Sequence, residues 1–223
     1  MVMKESIFEM IAIEGCPKRI MNLFVVVAMS EKTSSETVHI VNDVMGKILL
    51  ACDEVVVNEE AVDIKVSVLK ASCGVAWAYD EPKPLQDFQW HGIETGGRCF
   101  LGKAFKELNE KLSSRKGYLV GSGSYPPFII LMTDGLYADD YDAELLALKN
   151  NNWFKYAVKV AIPIGVGNDK DIFAKFTDSA EMIIDSQQIW FIKYMITPLF
   201  HAIAGGMSID DIILSQVREL KNR

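Results

Sequence analysis

The chain has 223 residues, half of them apolar and 24% charged, with a formal net charge of −7. That length most often makes one domain, burying roughly 70% of the unfolded surface on folding, and the composition is wrong for a disordered chain. Nucleic-acid binding draws most of its affinity from Lys and Arg on phosphates, so an acidic chain without a basic cluster argues against it and leaves a basic partner as the kind this surface meets.

The first twenty residues precede the first strand and form an N-terminal extension, in which Ile7 to Ile13 would add an edge strand or a helical cap. Their only apolar stretch contains charges, so they hold no signal-peptide core. Apolar runs such as Leu23 to Met29 are far shorter than the ~20 residues of a membrane helix. Four cysteines (Cys16, Cys52, Cys73 and Cys99) lie at irregular distances, with no Cys-x-x-Cys pair. The usual zinc spacing is absent, and the expectation is reduced, mostly buried thiols in a cytoplasmic protein with no membrane contact and no cofactor.

Met21 to Ala28 is a β-branched run that fits a strand buried on both faces. From Ser34 to Cys52 the apolar residues recur at three- and four-residue steps, which predicts an amphipathic helix. Val62 to Leu69 alternates and Gly74 to Tyr79 follows, predicting an antiparallel, half-exposed pair at one edge of the sheet. Glu81 to Gly97 reads as loop with one short extended piece. Leu101, Ala104, Phe105, Leu108 and Leu112 mark a second helix.

Lys116 to Tyr125 is glycine- and serine-rich loop, and Phe128 to Asp134 a buried strand ending in a polar turn. Asp139, Asp140 and Asp142 stand where a helix start favours negative charge. Val158 to Ile164 predicts a strand, Lys170 to Phe176 a helix, Met182 to Ile184 a short strand, and Gln187 to Ala204 a long helix kinked at Pro198. After Gly205 and Gly206, residues 205–223 form an amphipathic helix, either packed on its own domain or docking on a partner. Strands alternating with helices imply an α/β fold: a three-layer, doubly wound, mostly parallel sheet with one antiparallel edge strand.

In such folds function lies in the loops at the C-terminal ends of the strands. Three stand out: Ala28 to Ser34, Gly96 to Gly102, and Thr133 to Asp140. The order of elements, the Gly96-Gly97-x-x-x-Leu101-Gly102 turn into a helix, and the strand end Leu131-Met132-Thr133-Asp134-Gly135 resemble a von Willebrand factor A domain over residues 21–204. Thr133-Asp134-Gly135 followed by Ala138-Asp139-Asp140 is most similar to the bacterial A-domain proteins encoded with tellurium-resistance genes. The resemblance implies a non-catalytic protein–protein interaction module acting beside a serine/threonine kinase or a metal-dependent phosphatase, with Ser30, Lys32, Arg98, Cys99, Asp134, Tyr137 and Asp139 on the partner-binding loop face.

The resemblance also implies a divalent-cation site built from five side chains. Carried over in turn, they fall on Ala28, Ser30, Lys32, Cys99 and Asp134, of which Ser30 and Asp134 alone keep the family's residue type. Magnesium wants hard oxygen ligands in near-octahedral array. A methyl at Ala28 supplies none, the thiol of Cys99 is soft, and Lys32, if turned inward, would pair with Asp134 in place of the metal. The plainer role for Asp134 is to cap and hold its turn.

A nucleotide- or small-molecule-binding reading rests on Gly97 to Lys103, which follows the phosphate-loop pattern until Ala104 stands where a Ser or Thr hydroxyl binds magnesium. His39, His91 and His201 have no paired spacing and read as structural, and no Gly-x-Ser-x-Gly motif is present. Trp77, Tyr79, Trp90 and Tyr137 look exposed, either as interface aromatics or as a cover for the core edge.

Overall fold

A computed structural model of the chain describes residues 19–58, 62–113, 118–119, 124–165, 171–197 and 218. Its centre is strand β1 (Arg19–Ala28), which starts two residues before the predicted boundary. Side chains alternate across a strand, so one sequence run feeds two cores. Met21, Leu23, Val25 and Val27 join one apolar cluster, and Phe24, Val26 and Ala28 join the other.

Helix α1 (Ser35–Asn58) covers the first of these faces with Val41, Met45, Ile48, Cys52 and Val55. It starts where Ser34 Oγ accepts from Thr37 N at 3.1 Å, satisfying one of the orphan amides of a helix N-terminus. It runs longer than predicted because Val55 extends the apolar stripe by another turn. The opposite face is covered by α2 (Leu101–Lys111), α3 (Asp142–Lys149) and α5 (Asp171–Thr177), through Leu101, Phe105, Leu108, Leu148 and Phe176.

Strand β2 (Val62–Lys70) pairs parallel with β1 from Arg19 opposite Val62 to Val27 opposite Lys70. The predicted antiparallel pair shrinks on its outer side to β3 (Ala76–Trp77) and β4 (Lys83–Pro84), each two residues long and each antiparallel to β2. The half-exposed character predicted for β2 does not hold, because Val66, Ser67, Val68 and Leu69 are all buried between the two helical layers. On the other side of β1 come β5 (Phe128–Thr133) and β6 (Val158–Pro163), both parallel. The order is β3-β2-β1-β5-β6, with β4 also on β2. The three-layer, mostly parallel sheet predicted from sequence is the fold observed.

One unassigned stretch gains an element and two local expectations are corrected. The stretch from Asn152 to Tyr156, unassigned in the sequence reading, forms helix α4, capped by the Asn151 side chain accepting from Trp153 N at 2.9 Å. The short strand expected at Met182 to Ile184 reduces to a single bridge between Ile183 and Ala161, because Ala180–Met182 winds into a 3₁₀ turn. The helix expected from Gln187 opens as a 3₁₀ turn at Ser186–Gln188 and becomes α-helical over 191–197. Pro198, the N-terminal stretch from Ile7 to Ile13 and most of the C-terminal helix lie outside the described residues.

Candidate functional site

Chain order around β1 reverses between β2 and β5, so the crevice beyond the C-terminal ends of β1 and β5 is the switch point where doubly wound sheets bind ligands. Ala28 lies opposite Thr133 there, and the turns leaving these residues meet. Asp134, 7% exposed, is the hub. Its Oδ2 accepts from Ser30 N at 2.9 Å and from Thr33 Oγ1 at 3.2 Å, and its Oδ1 accepts from Leu136 N at 3.2 Å. Thr133 Oγ1 accepts from Gly135 N, tightening the turn from the preceding residue. Across the crevice Ser30 Oγ accepts from Lys32 N at 3.2 Å. Two loops 104 residues apart in sequence are thereby tied through one carboxylate.

The third loop arrives just ahead of α2. Cys99 O accepts from Ala138 N at 2.8 Å, and Asp139 Oδ2 accepts from Lys103 N at 3.1 Å, so Asp139 occupies an amide at the N-terminus of α2. The Cys99 thiol is buried, and burial, with the Asp134 and Asp139 carboxylates adding to it, pushes its pKa far above the ordinary range. Cys99 is therefore a neutral thiol.

Ser30, Cys99, Asp134 and Asp139 are brought together, as the sequence reading placed them. Lys32 is not: its side chain is exposed, and the group that reaches Asp134 is the hydroxyl of Thr33. The ion pair of Lys32 with Asp134 is corrected accordingly. A short hydroxyl can bond in a buried crevice where an ammonium would lose its water, which favours this outcome. Thr33 was missed because it lies one position beyond the family's loop pattern.

Arg98 stands exposed on the same loop face. Tyr137 is half-buried and packs edge-on against Tyr141, with ring centroids 5.3 Å apart. The other three aromatics likewise seal the core edge: Trp90 Nε1 donates to Asn42 Oδ1 at 2.9 Å, Tyr79 meets Phe88 edge-on, and Trp77 of β3 meets Phe24 and Tyr118. All four residues thus pack at the core edge.

The donor set for a divalent cation can be tested on these residues. Ala28 is wholly buried and offers a methyl, Cys99 offers an un-ionised thiol, and both Asp134 oxygens already accept hydrogen bonds. Among the described residues no three His, Cys, Asp or Glu side chains are grouped to hold a metal ion. Ala28, Lys32 and Cys99 bring no hard oxygen, so of the five carried-over positions Ser30 and Asp134 alone offer one.

The phosphate-loop likeness has a packing explanation. A Cβ on Gly97 would sit 2.6 Å from Cys73 Cα, and one on Gly102 would sit 2.5 Å from Asp140 O. Each glycine allows the loop or the start of α2 to press on neighbouring backbone. Lys103 is exposed, with its ammonium 4.4 Å from the Phe100 ring centre.

No family model and no curated protein matches the chain. Among solved structures it is similar to proximal thread matrix protein 1 from the mussel byssus, at 18% identity and a TM-score of 0.57, covering 82% of this chain and 48% of that one. The same mussel protein with a zinc-occupied MIDAS motif matches with the same figures. Manganese-loaded Plasmodium vivax TRAP protein matches at 12% identity and a TM-score of 0.54, covering 81% of this chain and 73% of that one. The chain thus spans about half the length of the mussel chains it matches. These likenesses, together with the sheet order, show a fold of the von Willebrand factor A type.

Proposed function

We propose that this chain is a non-catalytic protein–protein interaction module that presents the loop face beyond β1 and β5 to its partner without a bound metal. The observation that carries the reading is the three hydrogen bonds that Asp134 accepts, from Ser30 N, Thr33 Oγ1 and Leu136 N. Internal donors do the work that a cation would do in joining these loops, so the face is assembled before any partner arrives. Preorganisation of this kind lowers the ordering cost of association.

The groups this face shows to solvent are charged: Glu31, Lys32, Arg98 and Asp140 are exposed. Such a rim sets orientation and association rate more than affinity. The sequence likeness to A-domain proteins encoded beside tellurium-resistance genes supports a serine/threonine kinase or a metal-dependent phosphatase as the partner. Cys52, Cys73 and Cys99 are free thiols, which supports a reducing, cytoplasmic setting. No helix among the described residues is long and apolar enough to cross a membrane.

The experiment is a binding measurement between the purified chain and a serine/threonine kinase or metal-dependent phosphatase from the same genome, in chelator and in magnesium. The reading expects one dissociation constant in both buffers and a loss of about tenfold, or 1.4 kcal/mol, in Arg98→Glu and Lys32→Glu. Binding that needs magnesium, or that ignores both charge reversals, would overturn it. ATP turnover abolished by Lys103→Ala would overturn its non-catalytic half.

A further inference from the structure

Helices α2 and α3 both start at the loop face and end at the far side of the molecule. Eleven residues at 1.5 Å rise place the last turn of α2 about 15 Å from Asp139. Between these helix ends and the start of α4 lies a cleft of 540 Å³. That volume falls within the ~300–1,000 Å³ that small-ligand sites occupy.

The chemistry of its wall is distinctive. Asn109, Asn150, Asn151 and Asn152 line it together with Glu110 and Trp153. Asn151 is locked in place: its carbonyl oxygen accepts from Trp153 N, and its Nδ2 donates to Asn109 Oδ1 at 2.8 Å. The Asn109 amide group, fixed by the same bond, keeps both its Nδ2 hydrogens for another partner. Among the described residues no hydrogen bond engages Asn109 Nδ2 or the side-chain amides of Asn150 and Asn152. Trp153 is half-buried, with its ring seated against the core behind it.

Each carboxamide offers a carbonyl acceptor and two donors, matching a ligand whose groups both donate and accept. An anion finds no Lys or Arg among the described lining residues and meets the Glu110 carboxylate. A divalent cation finds one carboxylate where it needs several. An apolar ligand would strand the amides without partners, at a cost for each. A sugar matches this set: its vicinal hydroxyls can pair with the amides and with Glu110, and its C–H face can meet the part of Trp153 that lines the cleft.

We infer that this cleft between the ends of α2 and α3 is a binding site for a neutral saccharide of one or two rings, either free or as the end of a protein-linked glycan. The site is separate from the loop face, and its occupancy and the partner binding proposed above are read by different signals.

The test is a titration of the ¹⁵N-labelled full chain with N-acetylglucosamine, mannose and maltose, followed through the Trp153 indole and the Asn109 and Asn151 side-chain amides. The Trp153 signal is assigned with Trp153→Phe. Saturating shifts of these signals by at least one sugar, with a dissociation constant of about 1 mM or tighter, are expected. Binding should weaken about tenfold in Trp153→Ala and in Asn109→Ala. Asn150 is exposed and its side chain holds nothing in the fold, so Asn150→Ala keeps the test valid if either of those variants unfolds. Titration with ribonuclease B against unglycosylated ribonuclease A separates the sources: a response to the glycoprotein alone assigns a protein-linked glycan, and a response to a free sugar assigns a free ligand. The inference fails if neither sugars nor glycoprotein move these signals, if inorganic phosphate or ATP moves them more strongly, or if the folded variants bind as the parent does.

Discussion

Replacing Asp134 by Ala should cost the loop face its internal tie. Three donors converge on that carboxylate, at 2.9, 3.2 and 3.2 Å, and Ser30, which supplies the shortest bond, is 6% exposed. A hydrogen bond to a charged group contributes about 1.5–3 kcal/mol, and a buried donor left unpaired costs its desolvation as well. The three share one acceptor and are not additive, so the expected loss is about 3 kcal/mol. For a domain of this size that is a fall in Tm of about 6–12 °C. Asp134→Asn, which keeps one oxygen and turns the other into a donor facing a donor, should fall between the two. The assay is chemical denaturation with thermal melts as a second probe, each run in chelator and in magnesium. The same loss in both buffers is expected. A loss below about 1 kcal/mol, or one that appears only with magnesium, would refute the reasoning, because the carboxylate would then be serving a metal rather than the protein's own donors.

Two glycines in helices should respond oppositely to alanine. At Gly102 a Cβ meets Asp140 O at 2.5 Å and Asp139 Oδ2 at 3.0 Å, so Gly102→Ala should destabilise by about 1–3 kcal/mol in urea unfolding. At Gly46, inside α1, a Cβ meets nothing within 4 Å, so Gly46→Ala should stabilise by about 0.5–1 kcal/mol in the same assay. Alkylation of the native protein at mildly alkaline pH should label Cys73, which is exposed, well before Cys52 and Cys99, read by peptide mass spectrometry; burial pushes the Cys52 thiol up to about 12, with Asp53 adding to it. Glu181 is held down to about 2 by the Ser179 hydroxyl first, its own backbone amide next and Arg218 after that. Its folded value lies below the ordinary 4.5, so its contribution is present above about 4.5 and is lost as pH falls toward 2. A carboxyl-carbon NMR titration should show that midpoint, rising in Ser179→Ala and in Arg218→Ala.

The sheet was legible because periodicity reports burial, and burial here follows the layers. Leu23 to Ala28 of β1 and Phe128 to Met132 of β5 are apolar without interruption since both of their faces are covered, and α2 shows its stripe since one face is not. What failed were elements decided by single contacts. The alternation from Val62 to Leu69 resembled a half-exposed edge, but Ser67 and Leu69 are buried as well, Leu69 in the cluster that α2 covers about thirty residues further along the chain. Helix α4 rests on one asparagine cap and on Phe154, too short a pattern for period to detect. At the site, Ser30, Cys99, Asp134 and Asp139 were recognisable from motif order. Thr33 was not, because its value depends on how the turn after β1 swings its hydroxyl to Asp134. The asparagine cleft was also invisible, since Asn109 and Asn151 meet only when α2 and α3 lie side by side.

The claim that most needs testing is that this loop face holds together without metal. Thermal melts of the purified chain in chelator, in magnesium and in manganese test it directly. A metal bound only by the folded state, at about 100 times its dissociation constant, adds about 2.7 kcal/mol and raises Tm by about 5–11 °C. An Asp134 engaged by three of the protein's own donors predicts three superimposable curves. A rise of that size with either metal would contradict the account, showing that a cation displaces the Ser30 and Thr33 donors and that the face is assembled by metal after all.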